Sequence, residues 1–262
     1  MSQYEVRVLS AQGFRDWIGD LAEKRGPVVL ALDYNIEDRE KLLQVSAETV
    51  EEVAPYICGV KINHQLLLPL GLYEGVKKII DLTHELELPI IMDCKINDVG
   101  STNQAIARHY LGAGFDAVIA NPFIGWDEGV EPVFAAARGG KGVILLVYMS
   151  HKGAAEGYGQ RVIDPKTGRD CSQYMVFAEK ALAWNADGVV VGATHPEKIA
   201  EVSRVLGRKV PIYAPGVGAQ GGDAQAALSA GASYLIVGRS IIGAVSPAKA
   251  ARELWEAVGK RP

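Results

Sequence analysis

Eight short β-branched apolar runs, each followed by a polar or glycine-containing turn and then a helical stretch, recur from Pro27 to the end of the chain. Most of these runs are apolar at nearly every position rather than at alternate ones, as parallel strands covered on both faces must be. The chain has 262 residues, 48% of them hydrophobic and 22% charged, which is enough for one large core. Together these observations predict an α/β protein, a single (β/α)8 or TIM barrel spanning residues 1–262, with residues 1–26 as an N-terminal helical extension. A doubly wound open sheet is the alternative fold.

In the extension, Phe14, Trp17, Ile18 and Leu21 follow the i, i+3, i+4, i+7 rule, so residues 12–24 are expected to form an amphipathic helix. Such a helix either plugs the lower end of the barrel or covers a partner. Glu5, Arg7, Arg15, Asp16 and Asp20 break up the N-terminus, and no apolar run approaches the ~20 residues of a membrane span. The expected location is the cytoplasm, with no membrane partner. Strands are then expected at 28–33, 57–63, 89–93, 116–121, 142–148, 187–192, 210–215 and 233–237. Helical patterns occupy 39–53, 71–87, 175–185, 195–206, 223–230 and 247–258.

Charge and cysteine usage narrow the partners. A net charge of −4 gives no basic field for a nucleic-acid backbone, so partners should be small molecules, and an anionic one would need local cations. Cys58, Cys94 and Cys171 form no CxxC or Cys/His ligand pattern, which fits a reducing compartment. His64, His84, His109, His151 and His195 include no HxH or HExxH, so none is assigned to a metal.

A barrel places catalytic groups at the C-terminal ends of its strands, because every βα loop opens onto that face. Read in order, those ends carry Asp33, Lys61 with Asn63, Asp93 with Lys95, Asn121, Ser150, Thr194 with His195, the segment 215–220, and Gly238 with Arg239. Charge concentrates on the first three. Side chains two apart on a strand share a face, so Asp93 and Lys95 should lie side by side, and Lys61 with Asn63 likewise. An acid and an amine about 4 Å apart at an effective dielectric of ~20 attract by about 4 kcal/mol, enough to keep both ionised. The same pair can equally be read as a salt bridge at a strand end.

The opposite rim offers an anion site. Residues 215–223, Pro-Gly-Val-Gly-Ala-Gln-Gly-Gly-Asp, form a glycine-rich loop after the seventh run, whose backbone amides can approach an oxyanion. Gly238 and Arg239 follow the eighth, and barrels commonly hold phosphate with these two loops. Gly216, Gly218 and Gly221 also match GxGxxG, but without the remaining dinucleotide-binding architecture. A tight turn that needs glycine is the plain alternative. The segment 151–170, with four glycines and an Asp164-Pro165-Lys166-Thr167-Gly168 turn, reads either as a lid over the site or as an ordinary surface loop.

The set Leu30-Ala31-Leu32-Asp33, Val60-Lys61, Asp93-x-Lys95-x-x-Asp98, Met149-Ser150-His151, the 215–222 loop and Gly238-Arg239 resembles the orotidine 5′-phosphate decarboxylase family. The likeness runs from about Pro27 to the end. The D-x-K-x-x-D pattern alone marks a wider superfamily that includes magnesium-dependent sugar-phosphate aldolases and decarboxylases. Those relatives usually carry a glutamate on the second strand, where this chain has Val60-Lys61-Ile62-Asn63.

The resemblance implies decarboxylation of orotidine 5′-phosphate to UMP in de novo pyrimidine biosynthesis, with no cofactor and no metal. It assigns Lys61, Asp93, Lys95 and Asp98 to catalysis, with Lys95 as proton donor. It assigns Asp33, Lys61 and Thr102 to ribose and neighbouring contacts, and Ser150 to the pyrimidine. Pro215, Gly216, Val217, Gly218, Gln220, Gly238 and Arg239 would surround the phosphate. It also implies a homodimer, with Asp98 and Thr102 contributed across the interface. Here Val99-Gly100-Ser101 stands where relatives often have isoleucine and proline. A catalytically inactive nucleotide-binding barrel is the reading from another functional class.

Overall fold

The computed structural model describes residues 13–164 and 167–258. Residues 1–12, with the first residue of the expected N-terminal helix, and Pro165-Lys166 of the expected turn lie outside the described residues. Eight parallel strands close a barrel: β1 (Val28–Leu32), β2 (Gly59–Asn63), β3 (Ile90–Ile96), β4 (Ala117–Ala120), β5 (Gly142–Tyr148), β8 (Gly188–Val191), β9 (Ile212–Pro215) and β10 (Tyr234–Val237). Their order around the barrel is sequential, and β1 pairs with both β2 and β10. Two short antiparallel strands, β6 (Arg161–Ile163) and β7 (Asp170–Ser172), make a separate hairpin after β5. No described helix is long and apolar enough to cross a membrane.

The N-terminal helix, Phe14–Arg25, plugs the barrel. Phe14, Ile18 and Leu21 are buried on its inner face, each worth roughly 1.5–3 kcal/mol of burial. The Phe14 ring occupies the space where a side chain at Gly142 would stand, and Ile18 lies over Gly59, so strand-start glycines receive the plug. At the same end, buried Asp116 accepts hydrogen bonds from Ile90 N (2.9 Å) and Lys141 Nζ (2.9 Å) and pairs with His84 Nε2 (2.9 Å). That network ties three elements together on the face opposite the mouth, where a charged residue serves stability.

The expected elements are largely present. The helices 39–53 and 247–258 and strand 142–148 begin and end where expected. Three differences bear on function. The third strand does not end at Asp93 but continues to Ile96, through a shift in its pairing with β4 between Met92 and Ile96. Lys95 takes a left-handed backbone conformation there, at φ 48°. The single helix expected at 71–87 is a broken one: His64–Leu70, then a wide turn at Gly71–Gly75, then Val76–Glu85. The segment 151–170 contains a short helix, Ala154–Gly157, and most of the β6–β7 hairpin.

Candidate active site

Lys61 is the centre of the mouth. It sits on β2 beside Ala31 of β1 and Ile91 of β3, and its side chain is 5% exposed. Burial by itself works against a charged ammonium there and pushes its pKa down. Asp93 at 2.8 Å and Asp33 at 3.8 Å outweigh that effect and raise its pKa above the ordinary 10.5. Asp93 uses its other oxygen for Lys95 Nζ, at 2.6 Å. Burial pushes the Asp93 carboxyl up, but the two lysines prevail and hold it below its usual 3.8. Asn63 donates to Asp33 Oδ1 at 2.8 Å, so hydrogen bonds and the Lys61–Asp33 ion pair link the ends of the first three strands.

The adjacency of Asp93 and Lys95 arises from an irregular strand rather than from regular strand alternation. The β3 irregularity sets the direction of Lys95, and its left-handed backbone costs on the order of 1–3 kcal/mol, as strained functional positions do. Cys94, between them, turns away toward the carbonyls of Met92 and Ile119. Burial and the Asp93 charge push its thiol up to about 12, so it is no nucleophile at neutral pH.

The expected near-wall residues Asp33, Lys61, Asp93 and Lys95 and the far-wall residues Ser150, Pro215, Gly216, Val217, Gln220, Gly238 and Arg239 line one cavity of about 200 Å3. The two lysines and two aspartates cancel in formal charge, so Arg239 leaves the far wall cationic. Gly216, Gly218 and Gly221 have φ of 95°, 72° and 89°, the left-handed turns that glycine permits. The amides of Gly218, Gly221 and Gly222 donate within the loop, and that of Ala219 to Ser240 Oγ at 3.2 Å. The loop therefore holds its own shape, and Gly218 supports the turn without lining the cavity. Gly192 admits Ser150, whose Cα would lie 2.6 Å from a β-carbon there.

Asp98 and Thr102 are exposed and line no part of this chain's cavity. No described residue of 151–170 lines the cavity; Tyr158 packs instead on Tyr148 and Phe177. Sequence reasoning left Asn63 out of the site, although its i, i+2 relation to Lys61 was the available signal. It also omitted the apolar lining from Ile119, Leu146, Val190 and Ile236, which resembles any other inward strand residue.

The family model for orotidine 5′-phosphate decarboxylase / HUMPS matches residues 26–254. An orotidine 5′-phosphate decarboxylase of Thermococcus kodakarensis is 39% identical over 231 residues, covering 88% of this chain and 96% of that protein. A crystal structure of the Pyrococcus horikoshii enzyme of that name superposes with a TM-score of 0.70 at 34% identity, over 89% of this chain and 100% of that one. The corresponding Methanocaldococcus jannaschii structure, complexed with inhibitor BMP, superposes with a TM-score of 0.73 at 29% identity, over 89% and 99%. This chain belongs to the orotidine 5′-phosphate decarboxylase / HUMPS family.

Proposed function

We propose that this chain is an orotidine 5′-phosphate decarboxylase, a carboxy-lyase that forms UMP in pyrimidine biosynthesis, and that the cavity is its active site. The observation that carries the site assignment is Asp93 held between Lys61 and Lys95 at 2.8 and 2.6 Å, opposite a wall bearing Gln220 and Arg239. The C6–carboxylate bond breaks with its electron pair left on C6, CO2 departs, and Lys95 Nζ gives C6 a proton. The pyrimidine offers no electron sink for that pair, so catalysis rests on charges already in place. Lys95 supplies the cation, Asp93 orients it, and Lys61 with Asp33 holds Asp93 and meets the ribose. Ser150 faces the pyrimidine. Gln220 and Arg239, within the wall of Pro215, Gly216, Val217 and Gly238, take the phosphate, whose binding energy is remote from the reacting carbon.

Lys61 lies between the Asp33 and Asp93 carboxylates, where a magnesium-dependent relative would present an acid. We therefore read the reaction as metal-independent. Absorbance loss on adding orotidine 5′-phosphate should persist in EDTA. It should fall by at least ~10³-fold in Lys95→Ala, from loss of the proton donor and of the charge. No turnover by the wild type, or undiminished turnover by the variant, defeats the mechanism.

The same reading takes the protein as a cytoplasmic homodimer with Asp98 and Thr102 reaching the neighbouring site. Leu68, Val99 and Phe123 are large exposed apolar side chains that follow β2, β3 and β4 in turn, a rim that a second copy would cover. The spacing of Cys58, Cys94 and Cys171, with no CxxC or Cys/His ligand pattern, suits a reducing compartment. Mixing inactive Asp98→Ala and Lys95→Ala subunits should restore activity as hybrid dimers form. Verified exchange without recovery would rule out sharing.

A further inference from the structure

We propose that Asn103 is a positioning residue whose side chain sets how Asp98 is presented to the neighbouring site. The inference rests on the reading of Asp98 as a group that acts in that site. Asn103 lies in the first turns of helix Gly100–Ala113 and is completely buried. Its Nδ2 donates to the Asp98 carbonyl at 2.5 Å and to the Gly129 carbonyl at 2.8 Å, and its Oδ1 accepts from the Asp98 amide at 3.0 Å. One side chain thus holds both backbone polar groups of Asp98, as a neighbouring strand would, and fastens them to the loop after β4. A buried amide must find partners, and most of this one's capacity goes to the residue whose placement matters.

The surroundings make the arrangement rigid. One Asp98 carboxylate oxygen accepts from Val99 N at 2.7 Å, which orients the side chain and leaves its other oxygen available. Gly100 packs on the backbone of Glu128, where a β-carbon would come within 2.8 Å of the Glu128 carbonyl oxygen. Glu128 itself is left-handed at φ 52°. That close approach accounts for glycine at this position. Asp93 and Lys95 gain their precision from β3 and from ion pairs. Asp98 lies on a turn past the strand, and Asn103 supplies the equivalent restraint.

The test is a double-mutant cycle on the full-length protein, with kcat, KM, UMP inhibition and thermal melting measured throughout. Asn103→Ala should lower kcat by about 10- to 100-fold, the effect of misplacing a catalytic group by about 1 Å, with UMP inhibition changed less than about threefold. In an Asp98→Ala background the same substitution should change kcat by less than about twofold. Asn103→Ser, a smaller loss of volume, carries the comparison if the alanine variant melts too low to assay. Equal fold-losses in both backgrounds, with Asp98→Ala itself impaired, overturn the inference alone. An unimpaired Asp98→Ala overturns the reading of Asp98, and the inference with it. Asn103→Ala subunits mixed with Lys95→Ala subunits should recover activity as Asp98→Ala subunits do, and failure under verified exchange counts against the proposal.

Discussion

The two walls of the mouth are built differently. On the near wall, Asp33, Lys61, Asp93 and Lys95 belong to or directly follow strands and hold one another by ion pairs, with Lys61 nearly sealed from water. On the far wall, Gln220 and Arg239 are exposed, and the loop that carries Gln220 turns on the left-handed glycines Gly216, Gly218 and Gly221. Groups that stabilise developing charge gain most from being fixed in advance, so they sit on the sheet. Groups that capture and release a ligand must admit it, so Gln220 sits on a loop and Arg239 opens a short helix, Arg239–Ile242, beyond its strand.

Breaking the near wall should cost most. Asp93→Ala leaves Lys61 buried with only Asp33 at 3.8 Å, and removing one partner of a buried pair typically costs about 3–5 kcal/mol. Urea unfolding should show that loss beside the loss of turnover. A variant as stable as the wild type would mean that the wall is held by packing rather than by charge.

Arg239→Ala should act on the far wall with little effect on folding. Loss of a charge-assisted hydrogen bond of about 1.5–3 kcal/mol predicts a KM increase of roughly 10- to 150-fold. Stability should stay within ~0.5 kcal/mol, as for other surface substitutions. Steady-state kinetics and melting read both. A fall in stability comparable to that of Asp93→Ala would erase the distinction between the walls.

The smallest effect is the pH dependence of the near wall. Asp93 titrates below its ordinary 3.8 in the folded protein, so its stabilisation is complete above that value and is lost as pH falls through the lower folded one. Lys61 titrates above 10.5, so its share is complete below that value and is lost as pH rises through the higher folded one. The stability gap between wild type and Asp93→Asn, followed by unfolding at a series of pH values, should therefore be flat across neutral pH and narrow at the two extremes, on the acid side below 3.8 and on the alkaline side above 10.5. A gap that changes between pH 6 and 8, roughly, would implicate a histidine instead.

Much of this was legible because it is local. Apolar runs and helical periodicity marked the eight barrel strands, and the ends of those runs named Asp33, Lys61, Asp93 and Lys95. The β6–β7 hairpin escaped because its three-residue strands are too short and too exposed to carry a period. The end of β3 was misread because a run of charged residues looks like a strand terminus, whereas an irregularity in the pairing carries the strand through it. Asn103 gave no signal at all, since one asparagine in a polar helix start looks like any other.

The sequence by itself determined the alternation of strands and helices, the closed core, and which residue types stand at the strand ends. Those properties depend on side-chain polarity and on repeats of 2.0 and 3.6 residues. Only the tertiary structure decided that the first helix plugs the barrel, that Lys61 stays charged between Asp93 and Asp33, and that Lys95 is aimed from a left-handed residue. Each of these depends on atoms brought together from distant parts of the chain or on a local irregularity that pairing enforces. Asp93 and Lys61 are 32 residues apart yet share a 2.8 Å hydrogen bond, and no local pattern encodes that distance.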